Sequence, residues 1–247
     1  MLRGIYNAAS GMTLNMQVVD VLAHNLANAN TSGYKRRQPV MKSFGDILVD
    51  LTGEPDRSHP VGTTGTGVHM DEIARIERMG PLRRTGNTFD VALATPGHYF
   101  VVQRQDGTRL FTRDGQFYRN DRGQIVTGAG EAVLGADLGP LSLRDDARDI
   151  KIQPDGTILA NETELGRLLV VAPTRDQLRA YPAARLPLQQ AEAVEVRQGY
   201  LESSNVEIVT EMVSLIEANR SFGFEQKIVS AHDQMLQKAA NDLGRLQ

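Results

Sequence analysis

No cysteine occurs among the 247 residues, which removes disulfide frameworks, thiolate-held zinc and thiol nucleophiles together. Tryptophan is also absent and aromatic residues make up only 5% of the chain, so a core has to be built chiefly from Val, Leu, Ile and Ala. No apolar run approaches the ~20 residues of a membrane-spanning helix. The opening Met1-Leu2-Arg3-Gly4-Ile5-Tyr6-Asn7 lacks the basic flank and unbroken apolar stretch of a secretory signal, so export is expected to use a route that reads something else. The formal net charge is -3 with both signs interspersed, which gives neither a nucleic-acid footprint nor an acidic tail.

Chemistry-bearing patterns are equally scarce. The five histidines, His24, His59, His69, His98 and His232, show no HExxH or other close ligand spacing. Gly62-Thr63-Thr64-Gly65-Thr66-Gly67 is followed by Val68 rather than by the Lys-Ser/Thr of a phosphate-binding loop, and reads as a flexible linker. Asp71-Glu72 and Asp145-Asp146 read as solvated loop, because a carboxylate pair becomes catalytic only when a pocket tunes it. No serine lies in a Gly-x-Ser-x-Gly turn. Lys35-Arg36-Arg37 forms a small basic cluster, weak by itself as a contact for anionic lipid. No catalytic, metal or cofactor residue is expected, and no small-molecule substrate.

What the chain does have is apolar periodicity at both ends. Ile5, Ala9, Met12, Met16, Val19, Ala23 and Leu26 follow at steps of 4, 3, 4, 3, 4 and 3, which puts them on one stripe of a helix. Asn25, Asn28, Asn30 and Gly33 tolerate the left-handed backbone that ends a helix, so a stop is expected between Asn28 and Gly33. At the other end Ile208, Leu215, Phe222, Val229 and Leu236 recur every seventh residue. At ~1.5 Å per residue these helices run roughly 37 Å and roughly 57 Å. Neither buries its own stripe, so each needs a partner helix, and alone each gains too little to offset chain entropy.

The middle has a different period. Tyr99-Phe100-Val101-Val102, Leu110-Phe111, Phe117-Tyr118 and Ile125-Val126 are short apolar runs separated by Asp106-Gly107, Asp114-Gly115 and Arg122-Gly123, the residues of hairpin turns. A second set surrounds Pro154-Asp155-Gly156. The fold class expected is mixed α and β, with long terminal heptad helices flanking a central, mostly antiparallel β domain. The expected divisions are an N-terminal helix over residues 1–34, a linker over 35–67 with a short helix around Met41 to Leu51, a β domain over 68–200 and a C-terminal helix over 201–247.

Several local motifs then carry a resemblance. Asn25-Leu26-Ala27-Asn28-Ala29-Asn30-Thr31-Ser32-Gly33-Tyr34-Lys35 resembles the N-terminal signature of flagellar rod and hook proteins. Gly65-Thr66-Gly67-Val68, Asp90-Val91-Ala92-Leu93 with Tyr99-Phe100, and Thr112-Arg113-Asp114-Gly115 are similar to pieces of that family's β domain. Gln198-Gly199-Tyr200-Leu201-Glu202-Ser203-Ser204-Asn205-Val206 is similar to the family's approach to its C-terminal helix. The run Arg220-Ser221-Phe222-Gly223-Phe224-Glu225-Gln226-Lys227 departs from the family at Gly223 and Glu225.

The resemblance implies a structural subunit of the bacterial basal-body rod, exported unfolded by the flagellar type III apparatus and self-assembling through its terminal helices into the hollow shaft. The implied partners are copies of itself and other rod or hook subunits. A hook-type axial protein is the nearer alternative, and a secreted β-domain binding module with oligomerising helices the farther one. The seam residues above are expected to carry the contacts between subunits. Asn25, Asn28, Asn30, Gly33 and Tyr34, with Gly199, Tyr200, Glu202, Ser204 and Asn205, are the residues the family motifs single out.

Overall fold

The computed structural model describes residues 2–45, 47–50, 60–143, 149–161, 163–174, 177–178, 191 and 194–244. Asp145-Asp146 and His59 lie outside the described residues. The chain forms two compact units, each built from segments distant in sequence.

The first unit contains residues 1–27, 37–76 and 207–247. Its helices are α1 (Leu2–Ala27) and α2 (Ile208–Gly244), as their apolar periodicity predicts. Helix α1 stops where Asn28 and the following Asn- and Gly-containing turn begin. Between the helices in sequence lie β1 (Arg37–Ser43), β2 (Ile47–Asp50), β3 (Pro60–Thr64) and β4 (Val68–Arg75). The short helix expected around Met41 to Leu51 is therefore replaced by strands. β1 pairs antiparallel with β4 from Arg37 opposite Arg75 to Ser43 opposite Val68, with a bulge at Val40/Met41, and β2 pairs with β3. Leu48-Val49 and Val61 are β-branched or apolar residues that fit a strand, and tertiary pairing outweighs the weak helical pattern there.

Leu14, Val18 and Leu22 of α1 pack with Ala218 and Leu215 of α2, and Val19, Val68 and Met70 close the cluster. Burying a Leu or Val side chain contributes roughly 1.5–3 kcal/mol, so this small cluster is enough to hold the helices side by side.

The second unit contains residues 28–36 and 77–206. Its strands are β5 (Leu82–Arg84), β6 (Val91–Leu93), β7 (Tyr99–Gln103), β8 (Arg109–Thr112), β9 (Phe117–Arg119), β10 (Ile125–Thr127) and β11 (Ala132–Val133). They continue as β12 (Ile150–Ile152), β13 (Thr157–Ala160), β14 (Thr163–Arg167), β15 (Val170–Val171), β16 (Val196–Gln198) and β17 (Tyr200–Glu202). Every pairing among these strands is antiparallel, as expected from the short alternating runs.

β7 is the centre of the main sheet. It pairs along its length with β8, while β15 and β11 share its opposite edge, and the order continues through β10 to β9. Buried on both faces, it reads as the continuous run Tyr99-Phe100-Val101-Val102 rather than as an alternation. Phe100 meets Phe117 edge to face at 5.2 Å, and Val91, Leu93, Leu110, Ile158 and Val170 surround the pair. Asp106-Gly107 turns β7 into β8, Arg122-Gly123 turns β9 into β10, and Asp155-Gly156 turns β12 into β13.

Asp114-Gly115 behaves differently from the expected hairpin turn, because β8 and β9 pair with different strands. The chain instead lays Gly115 on Val91, whose amide donates to the Gly115 carbonyl at 3.0 Å. A Cβ at Gly115 would lie 1.6 Å from the Val91 oxygen, so no larger residue fits.

Candidate functional site

The two helices meet along a heptad seam of their own. On α1 it is Gly4, Ala8, Gly11, Asn15, Val18, Leu22 and Asn25, every one of them buried or half-buried. On α2 it is Glu211, Leu215, Ala218, Phe222, Glu225, Val229 and His232, again buried or half-buried. The helices run antiparallel: Asn25 reaches Glu211, Asn15 reaches Glu225, and Gly4 lies against His232. A Cβ on Gly11 would come within 2.4 Å of Glu225 Oε1, and one on Gly4 within 2.8 Å of His232 Nε2, so these glycines let the helices approach closely. The partner that each heptad requires is thus supplied, over most of α1, within the chain. Roughly three turns of α2 follow His232.

This seam lies one residue, about 100° of helix rotation, from the stripe read off α1 in the sequence. Of that stripe, Ala9, Met16 and Ala23 are exposed, while Ile5, Met12, Val19 and Leu26 are half-buried. On α2 the sevenfold positions Leu215, Phe222, Val229 and Leu236 fall on the seam face and are half-buried, whereas Ile208 is exposed. Sequence reasoning missed the α1 seam because two of its members are glycine and two are asparagine, and an apolar count passes over all four. Their spacing was the signal that could have found it.

A second apolar stripe is exposed among the described residues. Val209, Met212, Val213, Ile216, Phe224 and Ile228 of α2 each expose between 47% and 70% of their surface. On α1, Tyr6 and Met16 are exposed to 61% and 59%. A run of large apolar side chains along one helix face marks a surface that meets another macromolecule. Gly223 lies in this unbroken helix with open space where its Cβ would be, and nothing among the described residues explains it.

The motif residues divide between the two units. In the first, Asn25 is fully buried. Its amide nitrogen donates to the Arg37 carbonyl at 2.7 Å and to Glu211 Oε2 at 3.1 Å, while its oxygen accepts the Arg37 amide at 2.9 Å. One side chain therefore holds the start of β1 and the first turn of α2 against the end of α1. Glu211 lies in that first turn, where the partial positive charge of the helix favours a carboxylate.

In the second unit a buried cluster forms around the motif residue Glu202. Its Oε1 accepts from Lys35 Nζ at 2.6 Å and from the Gly80 amide at 2.9 Å, and its Oε2 accepts from Arg113 Nε at 2.7 Å. All three charged side chains are at least 95% buried. Arg113 spends its other donors on the carbonyls of Thr95, His98 and Leu93, and Lys35 also reaches the Arg78 carbonyl at 3.0 Å. Burial pulls the Lys35 ammonium below its ordinary pKa, and the Glu202 contact opposes that pull. The basic cluster Lys35-Arg36-Arg37 is accordingly no lipid-facing patch, since Lys35 points into the protein.

Around this cluster the backbone is fixed as tightly. Gly33 donates to the Glu202 carbonyl at 2.7 Å with φ 68°, and a Cβ there would lie 2.3 Å from the Arg113 carbonyl carbon. Asn205 accepts the Arg36 amide at 2.7 Å, donates to the Arg78 carbonyl at 2.8 Å, and its own amide meets the Tyr34 carbonyl. Gly199 donates to the Asp90 carbonyl and accepts from Thr85 and Gly86. Ser204 Oγ accepts the Val206 amide, Tyr200 pairs with Arg84, and Asn28 caps the turn through Thr31. Asn30 is exposed. Lys35 and Arg113, partners that the sequence motifs contained without a role, are what bring the N-terminal, β-domain and C-terminal signatures to one point.

Catalytic geometry is not what these residues form. Each buried side-chain nitrogen and oxygen of Lys35, Arg113 and Glu202 has a hydrogen-bond partner in the protein. A groove of about 360 Å³ beside α1 is lined by Tyr6, Ser10, Thr13, Gln17, Phe44 and His69 among others, with no Asp, Glu, Lys or Arg among its described lining residues. Among the described residues no cluster of His, Asp or Glu is arranged to hold a metal ion.

Comparison with known proteins agrees with this geometry at both ends and in the middle. Residues 5–35 match the family described as flagella basal body rod protein, residues 96–160 the flagellar hook protein FlgE/F/G D1 domain, and residues 197–243 the flagellar basal body rod FlgEFG protein C-terminal. The flagellar basal-body rod protein FlgG of Agrobacterium fabrum is 32% identical over 98% of this chain and all of its own length. The flagellar hook-basal body complex protein FlhO of Bacillus subtilis is 29% identical over the full length of both. FlgF of Caulobacter vibrioides, a flagellar basal-body rod protein, is 30% identical over 95% of each chain. With buried anchors joining the same segments that these matches cover, the chain belongs to the flagellar basal-body rod protein family.

Proposed function

We propose that this protein is a structural, non-catalytic subunit of the bacterial flagellar basal-body rod, and that α1 and α2 form its axial assembly surface. The observation that carries this reading is the uncovered stripe Val209, Met212, Val213, Ile216, Phe224 and Ile228, which lies along a helix already paired on its other face. Copies of the chain and other rod or hook subunits are the partners that stripe fits, together with the outer α1 positions Ala9, Met16 and Ala23. Delivery is by the flagellar export apparatus, which suits a chain without cysteine. Its place is the basal body. Residues 1–34 and 201–247 act as the axial core.

Ile216→Asp tests the proposal. Ile216 is 57% exposed, so a charge there removes little packing within the chain. The variant is expected to be made and exported at parental levels but to be missing from isolated basal bodies, with loss of motility. Normal incorporation would overturn the reading.

A further inference from the structure

The α1–α2 seam contains polar layers that an apolar coiled coil does not need. Asn25 Nδ2 donates to Glu211 Oε2 at 3.1 Å, and Asn15 Nδ2 donates to Glu225 Oε2 at 3.0 Å. The two carboxylates are fourteen residues, two heptads, apart on α2. The small and medium aliphatic residues of the seam discriminate poorly between registers: Ala8, Val18 and Leu22 on one side, Leu215, Ala218 and Val229 on the other. Apolar heptads tolerate slippage by seven residues, because each slip again brings apolar side chains together.

The polar layers do not tolerate it. A slip of one heptad in one direction takes Glu211 to the level of Val18. A slip in the other takes Glu225 there and Asn25 to Ala218. Each alternative leaves a carboxylate against an aliphatic side chain and an amide without its acceptor, and leaving such groups unmatched is costly. The small residues add to the discrimination, since Gly11 accommodates the Glu225 side chain and Gly4 the His232 ring where a Cβ would collide.

We infer that the Asn25–Glu211 and Asn15–Glu225 layers fix α1 and α2 in a single axial register. The layers set which turn of α1 lies beside which turn of α2, and therefore the spacing of the outward apolar residues on the two helices. The inference concerns pairing inside one chain and holds whether or not the chain assembles into a rod.

Cysteine pairs test it cleanly, because the parent has none. Ala8→Cys with Val229→Cys reports the register described above and leaves both seam glycines intact. Ala8→Cys with Leu236→Cys, and Ala8→Cys with Phe222→Cys, report the two slipped registers, each displaced by about 10 Å along the axis. The full-length chain is treated with a thiol reagent shorter than that displacement, both as purified protein and in isolated basal bodies. Bonds within a chain are distinguished from bonds between chains by mass spectrometry.

In the parent background only the first pair is expected to be bridged. With Asn15→Leu and Glu225→Leu together, or Asn25→Leu and Glu211→Leu together, the slipped pairs should gain at least about tenfold in yield, the change that a loss of register preference produces. Exchanging the partners, Asn15→Glu with Glu225→Asn, keeps the layer and should restore the single register. Equal bridging of all three pairs in the parent, a leucine variant that keeps one register, or absence of the first bridge in both preparations would each overturn the inference. Incorporation of the cysteine variants into basal bodies is scored separately, so failure of assembly is not read as failure of register.

Discussion

The two units of this protein satisfy their apolar residues in opposite ways. The β unit closes on itself: Phe100, Val101, Val102, Leu93 and Leu134 are at most 1% exposed, and the buried charges of Lys35, Arg113 and Glu202 are paired and hydrogen-bonded to one another. The helical unit has a thin core around Leu14, Val18 and Leu22, and leaves Val209, Ile216 and Phe224 more than half exposed. On the proposed assembly role, changes in the β unit are expected to act on stability, and changes on the outer helix face on assembly.

The largest effect expected is at Glu202. Glu202→Gln leaves Lys35 and Arg113 buried beside a neutral side chain, and breaking a buried ion pair from one side costs about 3–5 kcal/mol. Urea denaturation followed by a probe of the β unit should show that loss. A change under about 1 kcal/mol would mean that the cluster does not hold the unit together. Next in size is Gly33→Ala, which places a Cβ into the Arg113 backbone at positive φ and should cost at least about 1–3 kcal/mol by the same measurement.

Ile216→Asp tests the other side of the comparison. Its effect on the unfolding midpoint should stay within about 0.5 kcal/mol, as for other surface substitutions, while basal-body incorporation is lost. A large loss of stability would show that the outer face is already in use within the chain. The smallest effect concerns pH. Burial makes Lys35 release its proton at a lower pH in the folded chain than in the unfolded one. As pH rises through the folded value toward the ordinary lysine value, the unfolded chain holds more protons and stability rises. Lys35→Arg, which stays charged, should remove that rise when midpoints are compared between about pH 9 and pH 11.

Legibility in the sequence followed the same division. Both helices, the stop after Ala27 and the antiparallel β domain were readable because period and turn chemistry are local properties. The segment around Met41 to Leu51 was misread as helix, because its apolar spacing fits either period and the β1–β4 and β2–β3 pairings that decide it join residues far apart in sequence. The α1 stripe was read one residue away from the face α1 presents to α2. Hydrophobicity marks Met12 and Met16, whereas the close approach of the helices selects Gly4, Ala8 and Gly11, whose value lies in having little side chain.

By itself the sequence determined the element types, the scarcity of groups able to perform chemistry, and the motifs that resemble one family, since each is a property of residue type and spacing. Only the tertiary structure decided that Lys35, Arg113 and Glu202 form one buried cluster, and that Asn25 spans three segments through Arg37 and Glu211. The reason is physical. The hydrogen bonds that commit these polar groups cross separations of 89, 167 and 186 residues, and no local pattern records which distant partner will neutralise a charge once water has been removed.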